Sequence, residues 1–115
     1  MPIKWYIHNW ESLNKNNLYD VLMLRSAVFV VEQNCVYQDL DSKDDKAIHV
    51  LGYEKTTLVA YSRIFINTNF ATIGRVVIHP SFRGLGYGRL VVKKSLSQLS
   101  PKTTCLLYTS DAADE

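Results

Sequence analysis

The sequence predicts one mixed α/β domain: a strand, a helix, three strands in succession, a glycine-rich loop and a second helix. Three observations carry this. Apolar residues recur at helical spacing in two stretches, one in each half of the chain. Between them lie short runs rich in β-branched and aromatic residues, the chemistry of strands. Three glycines within five positions then separate the last of these runs from the second helix. A chain of 115 residues, 47% of them apolar, has the length and composition of a single core.

Residues 3–7 (Ile-Lys-Trp-Tyr-Ile) form the first predicted strand. Residues 18–31 read as a helix with Asn17 as N-cap and Asp20 in its first turn. Leu18, Val21, Leu22, Leu24, Val28 and Val31 give it a wide apolar stripe. Its end, Val28-Phe-Val-Val31, reads equally as strand, because β-branched side chains stiffen χ1. Residues 32–46 are a polar loop carrying Asp39, Asp41, Asp44 and Asp45. Residues 48–54 and 58–67 pair as a hairpin across Lys55-Thr56-Thr57, and 71–78 add a third strand stopped by Pro80. Residues 86–100 form the second helix, with Leu85, Val92, Leu96 and Leu99 on one side and Pro101 beyond its end. No repeat or low-complexity linker divides the chain.

Composition excludes several function classes. No apolar run approaches the roughly 18 residues of a transmembrane helix. The N-terminus lacks the apolar core of a secretory signal, so the expected setting is cytoplasmic. Cys35 and Cys105 lie 70 positions apart, and His8, His49 and His79 are scattered, which predicts neither a disulfide framework nor a metal site. The net charge of +2 hides a segregation. Residues 1–45 hold four basic and seven acidic side chains, residues 46–102 nine and one, and residues 103–115 three acids only. An anionic ligand therefore suits the middle segment and a cationic one the first; solvated faces are the plain alternative.

The sharpest motif is Arg83-Gly-Leu-Gly-Tyr-Gly88, between a β-branched strand and a helix start. Glycines let a ligand approach the backbone, and the first-turn N–H groups of a helix point outward toward anions. Arg83 and Arg89 add charge. The reading is a phosphate or pyrophosphate cradle, against the plainer reading of a tight turn. The spacing is not the G-x-G-x-x-G of a dinucleotide fold, and Gly88-Arg89-Leu90 is not the Gly-Lys-Ser/Thr of a Walker A loop.

The stretch Val77-Ile-His-Pro-Ser-Phe-Arg-Gly-Leu-Gly-Tyr-Gly88 resembles the acetyl-CoA-binding segment of the GNAT N-acetyltransferases. Residues 24–33 (Leu-Arg-Ser-Ala-Val-Phe-Val-Val-Glu-Gln), with Cys35, Tyr37, Asp39 and Asp41, resemble the ElaA-like branch of that family, as does Ile73-Gly-Arg-Val76. The likeness runs through residues 1–102. It implies a largely antiparallel mixed sheet flanked by helices, and acetyl transfer straight from acetyl-CoA to an amine without a covalent enzyme intermediate. Val77 and Ile78 would lie along the pantetheine arm, one backbone N–H polarising the thioester carbonyl. Gly84, Leu85, Gly86, Tyr87 and Gly88 would meet the pyrophosphate with their N–H groups, and Arg83 with its side chain.

On the acceptor side the candidates are Arg25, Glu32, Asp39 and Asp41. Glu32 follows an apolar run, where burial would raise its pKa toward that of a general base. Its plainer roles are a cap or a partner for Arg25. Asp39 and Asp41 would hold a cationic acceptor, and Asp44 and Asp45 read as a solvated loop. Cys35 reads as an ordinary thiol and His79 as a loop histidine. Neither nucleic acid, membrane nor metal is expected as a partner.

After residue 102 the likeness stops. Family members continue through a strand, a helix and a hairpin, which this chain is expected to lack. Residues 103–115 read as a non-matching tail, and 106–115 look like translated adapter sequence. At most, 103–108 is β-compatible and stands in for the missing strand. Turnover is accordingly expected only with the continuation restored. A non-catalytic acyl-CoA-binding or interaction module is the alternative; a nucleic-acid-binding domain built on the basic segment is weaker.

Overall fold

A computed structural model of the chain describes residues 3–34, 36, 38–100 and 103–107. Its elements are β1 (Lys4–His8), α1 (Lys15–Arg25), a π-helical turn (Ser26–Glu32), a 3₁₀ turn (Asp44–Lys46), β2 (Ile48–Glu54), β3 (Thr57–Ile66), β4 (Phe70–Ile78), a second 3₁₀ turn (Pro80–Phe82), α2 (Tyr87–Leu96) and β5 (Thr104–Leu107). One sheet of order β1-β2-β3-β4-β5 holds all the strands. The first four are mutually antiparallel, and β5 lies parallel to β4. This is the mixed, largely antiparallel sheet that the sequence predicts. The strand at the sheet's far edge forms within the 103–108 stretch, while Tyr108 lies outside the described residues.

Local chemistry explains the boundaries. α1 starts earlier than expected because Asn14, not Asn17, is the N-cap: its Oδ1 accepts from the Asn17 N–H at 2.8 Å. Asn17 instead donates its side-chain amide to the Tyr53 hydroxyl at 3.1 Å. The β-branched exit of the helix does not become a strand. It widens into the π turn, because Val28 and Phe29 are buried against the sheet and packing overrides propensity. Between β2 and β3 the turn is two residues, with Lys55 at φ +55°.

Helices cover both faces. Val21, Leu24, Val28 and Phe29 pack on Leu51, Tyr53, Tyr61 and Val77. On the other face Val91 packs on Val50, Val59, Ile64, Ile73, Val76 and Ile78. Each such side chain contributes about 1.5–3 kcal/mol when fully buried. The stripe of α2 is Gly88, Val91 and Ser95, which corrects the expected one: Leu85 and Leu96 are exposed, while Val92 and Leu99 pack at its border. Ser95 and Ser62 share a buried hydrogen bond of 2.6 Å that pins α2 to β3. Gly52, opposite Trp5, is required by close approach, since a Cβ there would lie 2.7 Å from the indole.

Candidate functional site

The site is organised by an irregularity in β4. Tyr61 faces Val77 and Arg63 faces Gly74, so Arg75 and Val76 together oppose the single residue Ser62. This is a β-bulge, and Arg75 adopts φ +49° within it. The extra residue re-aims a side chain. Gly74 and Arg75 both turn to the α1 face, while Val76 and Ile78 pack under α2 and Val77 under α1. On the other side of β4, the described pairing with β5 runs only from Phe70 to Ile73.

Beyond β4 the chain turns through His79, whose Nδ1 accepts from the Ser81 N–H at 3.1 Å and caps the short 3₁₀ turn. The glycine loop follows. Gly84 and Gly86 sit at φ +78° and +87°, conformations that cost an L-residue about 1–2 kcal/mol. A Cβ on either would meet nothing within 4 Å. Backbone conformation, not crowding, demands glycine here, and the space over the loop is open. Gly86 is the N-cap of α2, which carries no side-chain cap and no acidic residue in its first turn. The positive end of the helix dipole therefore meets no carboxylate from the helix's own first turn. Leu85 is exposed, Gly88 buried, and Tyr87 packs beside Phe82 with ring centroids 6.3 Å apart.

Arg83 and Glu32, expected on opposite sides of the chemistry, meet. Arg83 donates from both terminal nitrogens to the two Glu32 oxygens at 2.5 and 2.8 Å, and from Nε to the Ile78 carbonyl at 3.2 Å. Glu32 stands at the end of the π turn with 43% of its side chain exposed. The hydrogen bonds from Arg83 hold its carboxyl below the usual carboxylate range. This corrects the expectation that burial raises its pKa, and Glu32 does not pair with Arg25.

Arg25 is wholly buried. Its Nε donates to Asp39 at 3.0 Å, one Nη to Asp44 at 2.8 Å, and the other to the Asp39 carbonyl at 3.2 Å. Arg63 grips Asp41 with bonds of 3.0 and 2.6 Å and reaches Asp44 at 3.0 Å. Arg75 completes the cluster on Asp39 at 2.8 Å. The bonds from Arg63 hold the Asp41 carboxyl far below its ordinary value. Asp44, expected in solvent, is buried. Its carbonyl accepts from His49 Nε2 at 2.9 Å, so Nδ1 of that ring accepts the Tyr61 hydroxyl at 2.6 Å. Burial lowers the His49 pKa.

Arg63, Arg75, Asp44, His49 and Tyr61 were not singled out by sequence. The signal that pointed toward the arginines was the charge segregation: part of the basic middle segment and the acidic first segment neutralise each other inside the protein. Cys35 and Tyr37 lie outside the described residues. Among the described residues no group of three potential metal ligands forms, and no helix is long and apolar enough to cross a membrane.

Beside the bulge lies a groove of about 430 Å³, bordered by Asp41, Lys43, Arg63, Phe65, Phe70 and Arg75. Bulged strand, positive-φ glycines and helix start thus follow one another along the chain between Gly74 and Gly88, and the chain as a whole is similar to known proteins. ElaA of Escherichia coli is 40% identical over 99 residues, which is 82% of this chain and 65% of that protein. Its crystal structure superposes with a TM-score of 0.87 at 37% identity, covering 92% of this chain and 77% of that one. A UPF0039 protein of Schizosaccharomyces pombe is 42% identical over 110 residues, 90% of this chain and 73% of that protein. The crystal structure of an acyl-CoA N-acyltransferase from Pseudomonas aeruginosa gives a TM-score of 0.79 at 33% identity, covering 84% and 69%. The chain therefore spans just under two thirds of the length of the bacterial ElaA protein it matches. The sequence model of the acetyltransferase (GNAT) family matches residues 6–112, and the chain belongs to that family.

Proposed function

We propose that this chain carries the cofactor-binding half of an acyl-CoA-dependent N-acyltransferase that moves an acetyl group from acetyl-CoA to an amine. One observation carries the reading: two positive-φ glycines over open space lead straight into a helix whose N-cap is glycine and whose first turn holds no acidic residue. That arrangement fits a pyrophosphate, which needs backbone donors at close range and no Cβ in the way.

Acetyl-CoA, when bound, would supply a thioester carbonyl to an unprotonated amine; the C–N bond would form as the C–S bond breaks, and the proton lost from nitrogen would balance the thiolate that leaves as coenzyme A. The backbone of Gly84, Leu85, Gly86, Tyr87 and Gly88 holds the phosphates. Val77 and Ile78, past the bulge, run beside the pantetheine arm, and one of their N–H groups steadies the developing oxyanion. Much of the acceleration then comes from positioning. Glu32 is assigned to pairing with Arg83 until a phosphate replaces it, not to proton abstraction, since a carboxylate gripped at two points and held at low pKa is a weak base. Arg25 and Asp39 shape the acceptor side from behind, by fixing the loop. Residues 1–102 contain every group this reading uses.

Calorimetric titration with coenzyme A tests it. Binding is expected, and Gly86→Val is expected to weaken it at least tenfold while the circular dichroism spectrum is kept. No heat at millimolar coenzyme A, or unchanged affinity in Gly86→Val, would overturn the reading.

A further inference from the structure

We infer that the groove beside the bulge binds the acceptor through a carboxylate, so that the substrate class is a small amino acid with an apolar side chain rather than a polyamine or other polycation. This rests on the acyl-transfer reading above and concerns its second substrate.

Position comes first. Cross-strand pairs place Phe65 beside Thr72, Arg63 beside Gly74 and Tyr61 beside Val77, in one row on the α1 face. Gly74 precedes Val77 by three residues, so the groove floor lies about 10 Å or less along the strand from the proposed thioester site. An amine can reach the carbonyl from there while another part of the same small molecule stays in the groove.

Charge decides which part. Three arginines (Arg25, Arg63, Arg75) face three aspartates (Asp39, Asp41, Asp44), and every one of these carboxylates is bonded to arginine. Asp41 is the carboxylate on the groove wall, with one oxygen 3.0 Å and the other 2.6 Å from Arg63, and the latter also 3.6 Å from Arg75. No carboxylate in the groove remains to receive a cation. Asp45 is exposed and does not border the groove. On the cationic side there is a surplus. Lys43 stands exposed at the rim with no carboxylate partner among the described residues. Arg63 is 4% exposed, and its buried Nε lacks any hydrogen-bond partner. The aspartates are taken up by arginine and Lys43 adds an accessible positive charge, so the complementary ligand group is an anion.

The rest of the lining combines the rings of Phe65 and Phe70 with the polar Asn67 and Thr72. Arg63 stacks over the Phe65 ring at 5.0 Å, and Phe70 is 40% exposed at the groove's edge. An aliphatic or aromatic side chain covers the exposed Phe70 ring, whereas a polyamine would bring like charge against Lys43.

The test is a titration of the ¹⁵N-labelled chain with phenylalanine, phenylalaninamide and spermidine, each with and without coenzyme A, following backbone amide shifts. Phenylalanine is expected to shift amides at Lys43, Gly74 and Arg75, and to bind at least tenfold tighter than its amide. Lys43→Glu, a surface change, should erase that preference. Equal or tighter binding of phenylalaninamide or spermidine overturns the inference. So does the absence of a groove response to phenylalanine, or a preference untouched by Lys43→Glu. Coenzyme A alone should shift residues 84–88. Its failure to do so counts against the acyl-transfer reading, while a normal coenzyme A response with no phenylalanine response counts against this inference alone.

Discussion

Arg25 and Arg83 are each gripped by carboxylates from distant parts of the chain, one wholly buried and the other at the mouth of the glycine loop. The chemistry of the two grips is the same, but their surroundings are not. Around Arg25, water is excluded and each carboxylate answers more than one arginine, so removing one member strands a charge in a low dielectric. Around Arg83, solvent screens the pair and supplies replacement partners. The buried cluster therefore fixes where the acidic loop lies, whereas the exposed pair can exchange partners; on the proposed function, a phosphate oxygen would take the place of a Glu32 oxygen. One protein thus uses arginine–carboxylate pairing both as architecture and as an adjustable contact.

The comparison breaks most visibly at Arg25. Arg25→Ala is expected to cost about 3–5 kcal/mol of unfolding free energy, because Asp39 and Asp44 each lose one of their arginine partners and three buried or part-buried carboxylates are left to two arginines. A urea-unfolding shift below about 1 kcal/mol would put Arg25 in the same class as Arg83.

A smaller effect separates the two regions by pH. His49 has its folded pKa depressed by burial, and its neutral form bridges Asp44 and Tyr61. Its contribution is complete above the unfolded value near 6.5 and is lost as pH falls below it. Unfolding free energy should decline as pH falls below about 6.5, by at most about 1.4 kcal/mol per pH unit. In His49→Gln that slope should flatten. Asp41 obeys the same sign at lower pH: its contribution, present above about 3.9, is lost on further acidification. Chemical denaturation at fixed ionic strength measures both, and an unchanged slope in His49→Gln would remove histidine from the cluster's account.

The smallest expected change is at the exposed pair. Glu32→Gln should alter stability by less than about 1 kcal/mol. It should also tighten coenzyme A a few-fold, since Arg83 is released to the phosphates. Calorimetry on the variant checks this; a loss of affinity greater than tenfold would make Glu32 part of the cradle instead.

Which features could be read from sequence follows from how local their causes are. The glycine loop was legible because positive φ is a property of single residues, and β2, β3 and β4 because alternation and turn chemistry act over a few positions. The start of α1 was misplaced by three residues because Asn14 and Asn17 are chemically equivalent caps, and only Tyr53, 36 positions away, claims the second. The π turn is ambiguous in sequence because Val28 and Phe29 are buried by the sheet rather than by anything nearby in the chain. The ion cluster was least legible. Its bonds join residues 14 to 36 positions apart, and no local pattern distinguishes an aspartate that will meet arginine from one that will meet water.

The bulge in β4 has one more consequence. Without Arg75, Gly74, Val76, Val77 and Ile78 would keep the faces they now occupy, since the extra residue restores the alternation it interrupts. The strand therefore carries one position that the hydrophobic core does not read. Changes of residue type there are invisible to core packing, and variation at position 75 can retune the groove while the apolar layers around it stay as they are.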